Sequence, residues 1–114
     1  MLREELLGLK RKQIKVDTPK GRVIVKELTA GEAGEYDNSL YSFSKGEYKI
    51  NRKDAKEKLV IASCYDEEGN KLFELKDIAL VKQLPTSLID KLFTAASELR
   101  DIHDEEKVDE AVKN

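Results

Sequence analysis

Apolar residues recur along this chain in two rhythms, one of period two and one of three to four. In "QIKVDTPKGRVIVKEL" Ile14 and Val16 alternate with polar residues, and Val23, Ile24 and Val25 resume the β-branched run after Pro19-Lys20-Gly21. Alternation lines one face of an extended segment, and Pro-Lys-Gly supplies the turn, so Gln13–Asp17 and Arg22–Glu27 are predicted to pair as a β-hairpin. Before it, Leu2, Leu6, Leu7 and Leu9 stand near helical spacing, interrupted by Gly8. After it, Thr29 is followed three residues later by Glu32, the spacing of a capping box. The helix so started contains Gly31 and Gly34, each costing about 1 kcal/mol against Ala, and must be held by packing through Tyr36, Leu40 and Tyr41. Residues Ser42–Ile50, with Ser44 and Gly46, read as a mobile connection.

The second half is mostly of helical period. From the N-cap candidate Asn51, "NRKDAKEKLVIASCY" places Ala55, Leu59, Ala62 and Asp66 on one face. Its continuous apolar run Leu59–Cys64 would equally suit a buried strand, so residues 52–65 stay open between helix and strand, with the helix formers at 55–58 favouring helix. Leu75, Ile78, Ala79 and Lys82 share one side of a short helix that Pro85 interrupts, because the ring removes an amide donor and disfavours a helical Leu84. "TSLIDKLFTAASELRDI" follows, with Ser87 and Asp90 as a start signal and Leu88, Leu92, Ala95, Ala96 and Leu99 as an apolar stripe flanked by Ile89 and Phe93. The expectation is a small α+β fold, an N-terminal hairpin followed by a mostly α-helical part. It forms one domain over residues 1–103, and residues 104–114 form a charged tail, frayed helix or disordered.

Charge changes this picture at the two ends. Residues 1–26 hold eight basic residues against Glu4, Glu5 and Asp17, and residues 98–114 hold seven acids against Arg100, Lys107 and Lys113. Opposite ends of this kind would suit self-association of copies head to tail, or would simply be two solvated segments. One cysteine excludes an internal disulfide and fits a reducing compartment. No apolar run approaches the ~20 residues of a membrane span, and "MLREELLGLKRK" lacks the features of a secretory signal, so a soluble cytoplasmic protein is expected.

Candidate chemistry is sparse. The single His103 borders the charged tail without an orienting partner in sequence, and Cys64 sits in an apolar run without a CxxC spacing, where a thiol packs as a small hydrophobe. "TAGEAGE" has the small residues of a phosphate loop without its Lys. "YDEEGNKLF" has the acids and Gly of a calcium loop. Setting Gly69 at the sixth position, however, puts Cys64 first and Leu75 twelfth, where hard oxygen ligands are required. It is read as a turn. No enzyme, cofactor or metal site is predicted. "LKRKQIK" offers cations for phosphates but no interleaved aromatics, and this leaves a small nucleic-acid-binding regulator using the basic N-terminal segment as the alternative function.

The run "LVIASCYDEEGNKLFELKDIALVKQLPTSLIDKLFTAASEL", Leu59 to Leu99, resembles the tail assembly chaperones of long-tailed bacteriophages and prophages. That family has an apolar stretch, an acid-rich Gly turn, Leu-Phe, a short helix around an Asp-Ile-like pair, and a closing Leu- and Ala-rich helix with a Phe. "VIVKELTAGEAGEY" is similar to its strand leading into a Thr-x-Gly-Glu helix start. Two departures are Leu75, where a polar cap is common, and "LRDIHD", where the last helix often ends in Leu-Asn.

The resemblance implies a non-enzymatic protein of the bacterial host cytoplasm, absent from the mature virion. It would bind the tape measure protein, keep it soluble and help deliver it to the tail tube protein. A longer form made by ribosomal frameshifting would carry the contact with the tube subunit. Under this reading exposed members of Leu88, Leu92, Phe93, Ala96 and Leu99 contact the tape measure protein or a neighbouring copy; the competing reading makes all five core. A structural adaptor of the virion is a further alternative.

Overall fold

The apolar alternation at the N-terminal end is realised as a hairpin. In the computed structural model, which describes the backbone of residues 1–113 and the side chains of residues 1–100, β1 (Gln13–Thr18) and β2 (Gly21–Lys26) pair antiparallel with Val16 opposite Val23 and Ile14 opposite Val25. Gly21 closes the turn at φ 139°, a conformation that a side chain disfavours. A short helix α1 (Leu2–Leu7) precedes the hairpin. A two-residue strand β5 (Cys64–Tyr65) adds to β2, giving the sheet order β1-β2-β5.

The ambiguity of residues 52–65 resolves into both answers in succession. Helix α3 runs Ala55–Ser63, and the chain then extends into β5 at Cys64–Tyr65. The helix does not start on Asn51 as expected. Asn51 uses its side-chain oxygen on the amide of Lys53, and the N-cap is Asp54, in a left-handed conformation with φ 63°. Its carboxylate is drawn to Lys82, 2.9 Å away, so an ion pair takes the place of a side-chain cap.

Three helical segments complete the element order. Helix α2 (Ala30–Ser39) starts with the capping box that the sequence predicts: Thr29 Oγ1 accepts from the Glu32 amide at 3.1 Å, and Glu32 Oε1 accepts from the Thr29 amide at 3.0 Å. The short helix around Lys76 is a 3-10 turn (Leu75–Asp77) running into α4 (Ile78–Val81). Its polar cap is Glu74, whose amide donates to Asp77 Oδ2 at 2.9 Å, so the polar residue expected at Leu75 stands one position earlier. The last helix, α5 (Thr86–Lys113), begins after Pro85, whose carbonyl accepts from the amides of Leu88 and Ile89; Ser87 therefore lies inside the first turn and is not the cap. The side chain of His103 lies outside the described residues, and the backbone of α5 continues through residues 104–113, the segment expected to be a frayed or disordered tail.

The segment Ser42–Ile50, expected to be a mobile connection, is a second hairpin. Strands β3 (Tyr41–Ser44) and β4 (Glu47–Ile50) pair antiparallel with Tyr41 opposite Ile50 and Phe43 opposite Tyr48. Lys45 and Gly46 both have positive φ, 54° and 78°, as in the tight turns whose twist matches that of paired strands.

The core lies between the first sheet, α3 and α5. Val25, Leu59, Val60, Ile61, Cys64, Val81, Ile89, Leu92, Ala95, Ala96 and Leu99 form one buried cluster, with Ile14, Val16 and Val23 packed at its margin. On the other face of the sheet Ile24 and Tyr65 are also buried. Tyr65 lies under two cations, with the Arg11 guanidinium 5.3 Å and the Lys26 ammonium 4.7 Å from its ring centre. Its hydroxyl donates to Glu32 Oε2 and accepts from Arg11, each at 3.3 Å, while Arg11 and Glu32 pair directly at 3.0 Å. The lead-in segment, the start of α2 and the end strand of the sheet thus meet at one polar node.

Candidate partner-binding surfaces

Two of the residues weighed for chemistry are engaged within the fold. Cys64 is fully buried, and loss of hydration pushes its thiol up to about 12, so the reactive thiolate is suppressed. Asp66, the acid of "YDEEGNKLF" best placed for a cation, spends its oxygens on the turn. Its Oδ1 accepts from the amides of Asn70 at 2.9 Å and Glu68 at 2.8 Å, and these bonds, the Asn70 amide first, hold the carboxyl below its usual range. Gly69 has φ 93°, as the turn demands. Among the described residues no cluster of His, Cys, Asp or Glu is arranged to hold a metal, and no helix is long and apolar enough to cross a membrane.

The structure divides the apolar stripe of α5 unevenly. Leu92, Ala96 and Leu99 are buried in the chain's own core, while Leu88 and Phe93 are half-buried and packed against it. Only these two keep surface that a partner could touch, and Phe93 carries the Lys56 ammonium 5.2 Å from its ring centre.

Large uncovered apolar surface lies elsewhere. On the β3–β4 hairpin, Tyr41, Phe43, Tyr48 and Ile50 are two directly opposed pairs two residues apart, so all four share one face. They are 49, 64, 77 and 54% exposed. The Phe43 and Tyr48 rings pack against each other at 5.0 Å between centres, tilted by 58°. The opposite face is polar, with Ser42, Ser44, Glu47 and Lys49. Neither edge of this hairpin pairs with a third strand among the described residues. A second uncovered surface is α1, where Leu2, Leu6 and Leu7, with Leu9 just beyond, are all exposed.

At the base of the second hairpin opens a cleft of about 430 Å³. Tyr41 and Ile50 enter it from the hairpin, Leu40 from the end of α2, Leu59 from α3, and Phe93 from α5; Arg52 and Arg100 line it as well. Tyr36 supports the wall: its hydroxyl donates to the Ala55 carbonyl at 3.3 Å, and burial raises its pKa. Arg100 lies 5.4 Å over the Tyr36 ring and 3.6 Å from Asp37.

This arrangement of two hairpins and five helices has a counterpart among solved structures. Over 86% of this chain and 96% of the other, it superposes on the structure of the bacteriophage HK97 tail assembly chaperone, with a TM-score of 0.59. The two chains share one fold. Their sequences are only 16% identical, so what the HK97 tail assembly chaperone has in common with this chain is carried by element order and packing. No family model matches the sequence. No curated protein matches it either.

Two of the cations behind the nucleic-acid alternative are engaged within the chain: Arg11 in its pair with Glu32 and Lys26 over Tyr65. The uncovered hairpin is a feature the sequence reading missed. Its signal was present in "YSFSKGEYKI", a strict apolar–polar alternation on both sides of Lys-Gly.

Proposed function

We propose that the chain is a non-enzymatic tail assembly chaperone of a bacteriophage or prophage, which binds the tape measure protein and helps deliver it to the tail tube protein. The observation that carries this reading is the fold shared with the HK97 tail assembly chaperone across nearly the whole of both chains. The residues fit such a role. The thiol is buried, the acidic turn bonds within itself, and the apolar surface left open suits contact with another protein. The chaperone would act in the cytoplasm of the bacterial host and be absent from the mature virion. A frameshifted longer form would recruit the tube subunit.

Co-expression with the tape measure protein of the same phage or prophage tests the reading. The soluble yield of that protein is expected to rise several-fold with the chaperone present. An unchanged yield would remove the central claim. A slippery sequence before the stop codon is the expected mark of the longer form.

A further inference from the structure

The β3–β4 hairpin leaves its edges open as well as its apolar face. The tight turn at Lys45-Gly46 makes Ser44 and Glu47 a hydrogen-bonded pair, and the alternation of an antiparallel ladder makes Ser42 and Lys49 the next. The Asn51 amide, which donates to the Leu40 carbonyl, continues the same series. Tyr48 and Ile50 therefore turn their amides and carbonyls away from β3, along the free edge of β4. Tyr41 and Phe43 do the same along the free edge of β3.

Glu47 and Lys49 are the only charged residues of the two strands, and both lie on the polar face. Within the hairpin they stand opposite Ser44 and Ser42. Among the described residues neither is within ion-pair distance of an opposite charge. A second copy answers both. When two β4 strands run antiparallel about a two-fold axis at Tyr48, Glu47 of each copy faces Lys49 of the other. This register makes Tyr48 and its counterpart a hydrogen-bonded pair, as their outward backbone groups require, and makes Glu47 and Lys49 the closer, non-hydrogen-bonded pair. Moving the axis one residue either way sets Lys49 against Lys49 or Glu47 against Glu47, and like charges directly opposed are unfavourable. We propose that two copies of this chain join through β4 about a two-fold axis at Tyr48, forming one four-stranded antiparallel sheet held in register by two Glu47–Lys49 pairs.

The apolar face gains from the same register. Phe43 packs on Tyr48 within each hairpin, 5.0 Å between ring centres, so the pairing sets the two rings of each copy in one row across the sheet. Tyr48, at 77% the most exposed of the four apolar residues on that face, is the one brought to the axis. Two strands alone are marginal in water, and the added strands supply what the hairpin lacks.

The other edges suit a second copy less well. Strand β3 carries no charge to set a register. On β1, Asp17 is already paired with Arg22 at 2.8 Å, and Ile14 and Val16 are packed against the chain's own core. The pairing through β4 requires nothing of the proposed function, and its failure would leave that function intact.

Sedimentation equilibrium of the full chain tests the pairing by charge exchange. The native chain is expected to dimerise with the weak affinity of a small interface. Glu47→Lys and Lys49→Glu each oppose like charges at both pairs, and each should raise the dimer dissociation constant about tenfold or more. Combining both exchanges in one chain should restore the native affinity. A one-to-one mixture of the two single variants should do so too, as a heterodimer. Both side chains are exposed, so the fold survives every one of these changes. Amide exchange should slow at Tyr48 as concentration rises and stay unchanged at Phe43 on the opposite edge.

A chain that stays monomeric up to about 1 mM would overturn the proposal and leave the hairpin to a partner of another sequence. A dimer that neither single variant weakens would overturn it too, by placing the contact on the apolar faces or on α1. So would single variants that weaken the dimer without rescue by the combined exchange, or slowed amide exchange at Phe43 in place of Tyr48.

Discussion

The β1–β2 hairpin turns Ile14, Val16, Val23 and Val25 toward α5 and gains β5 as a third strand, whereas the β3–β4 hairpin carries larger side chains on shorter strands and gains neither. Both obey the same alternation and both are closed by a turn suited to their residues. Pattern therefore makes a hairpin, and a separate event covers it. Full burial of one side chain of this size is worth about 1.5–3 kcal/mol, so the second hairpin leaves several kcal/mol of association free energy unrealised. An isolated two-stranded hairpin is marginal in water. This one is steadied from its base, where the Asn51 amide donates to the Leu40 carbonyl and Tyr41 and Ile50 line the cleft.

The comparison can be broken from the covered side first. Leu92→Ala opens a cavity in the helix that roofs the first sheet and should cost about 2–5 kcal/mol in denaturant unfolding. A smaller loss is expected at alkaline pH, on the same buried side. The folded thiol of Cys64 ionises near 12 against an ordinary value of 9.0, so its contribution is complete below pH 9 and is lost as the pH climbs toward 12. Stability measured from pH 8 to 10.5 should fall more steeply for the native chain than for Cys64→Ala. The native thiol should also stay unreactive to an aromatic disulfide reagent until the chain unfolds.

The open side predicts gentler effects. Gly46→Ala should cost about 1–2 kcal/mol locally through its positive φ alone, since an added Cβ meets no atom within 4 Å. Faster amide exchange at residues 41–50, with exchange in α3 and α5 unchanged, is the expected readout. Phe43→Ser should change global unfolding by no more than about 0.5 kcal/mol, because most of that ring already faces water. If Phe43→Ser instead matched Leu92→Ala, the second hairpin would be part of the core and the contrast drawn above would fail.

Legibility followed whether a segment's cues were local. The Thr29–Glu32 box and the first hairpin could be read because donor, acceptor and turn residue lie within a few positions of one another. The start of α3 could not, since the residue that caps it, Asp54, is held by Lys82 far along the chain. The strand at Cys64–Tyr65 exists because β2 lies beside it, and an apolar run read alone is silent about such a neighbour. The second hairpin is a different matter: its alternation was fully visible, and Ser44 and Gly46 drew attention to flexibility when Lys45-Gly46 was closing a turn. For the candidate site, periodicity sets an apolar stripe on α5 but cannot tell an inward stripe from an outward one. Leu92, Ala96 and Leu99 point inward.

The node at Tyr65 carries a consequence for how such chains diverge. Glu32 serves two masters, since one carboxylate caps α2 and also receives Arg11 and the Tyr65 hydroxyl. A change at position 11 or 65 alters the company that Glu32 keeps without touching the cap, whereas a change at 32 removes both at once. Positions 11, 32 and 65 should therefore co-vary among related sequences, with 32 the slowest to change.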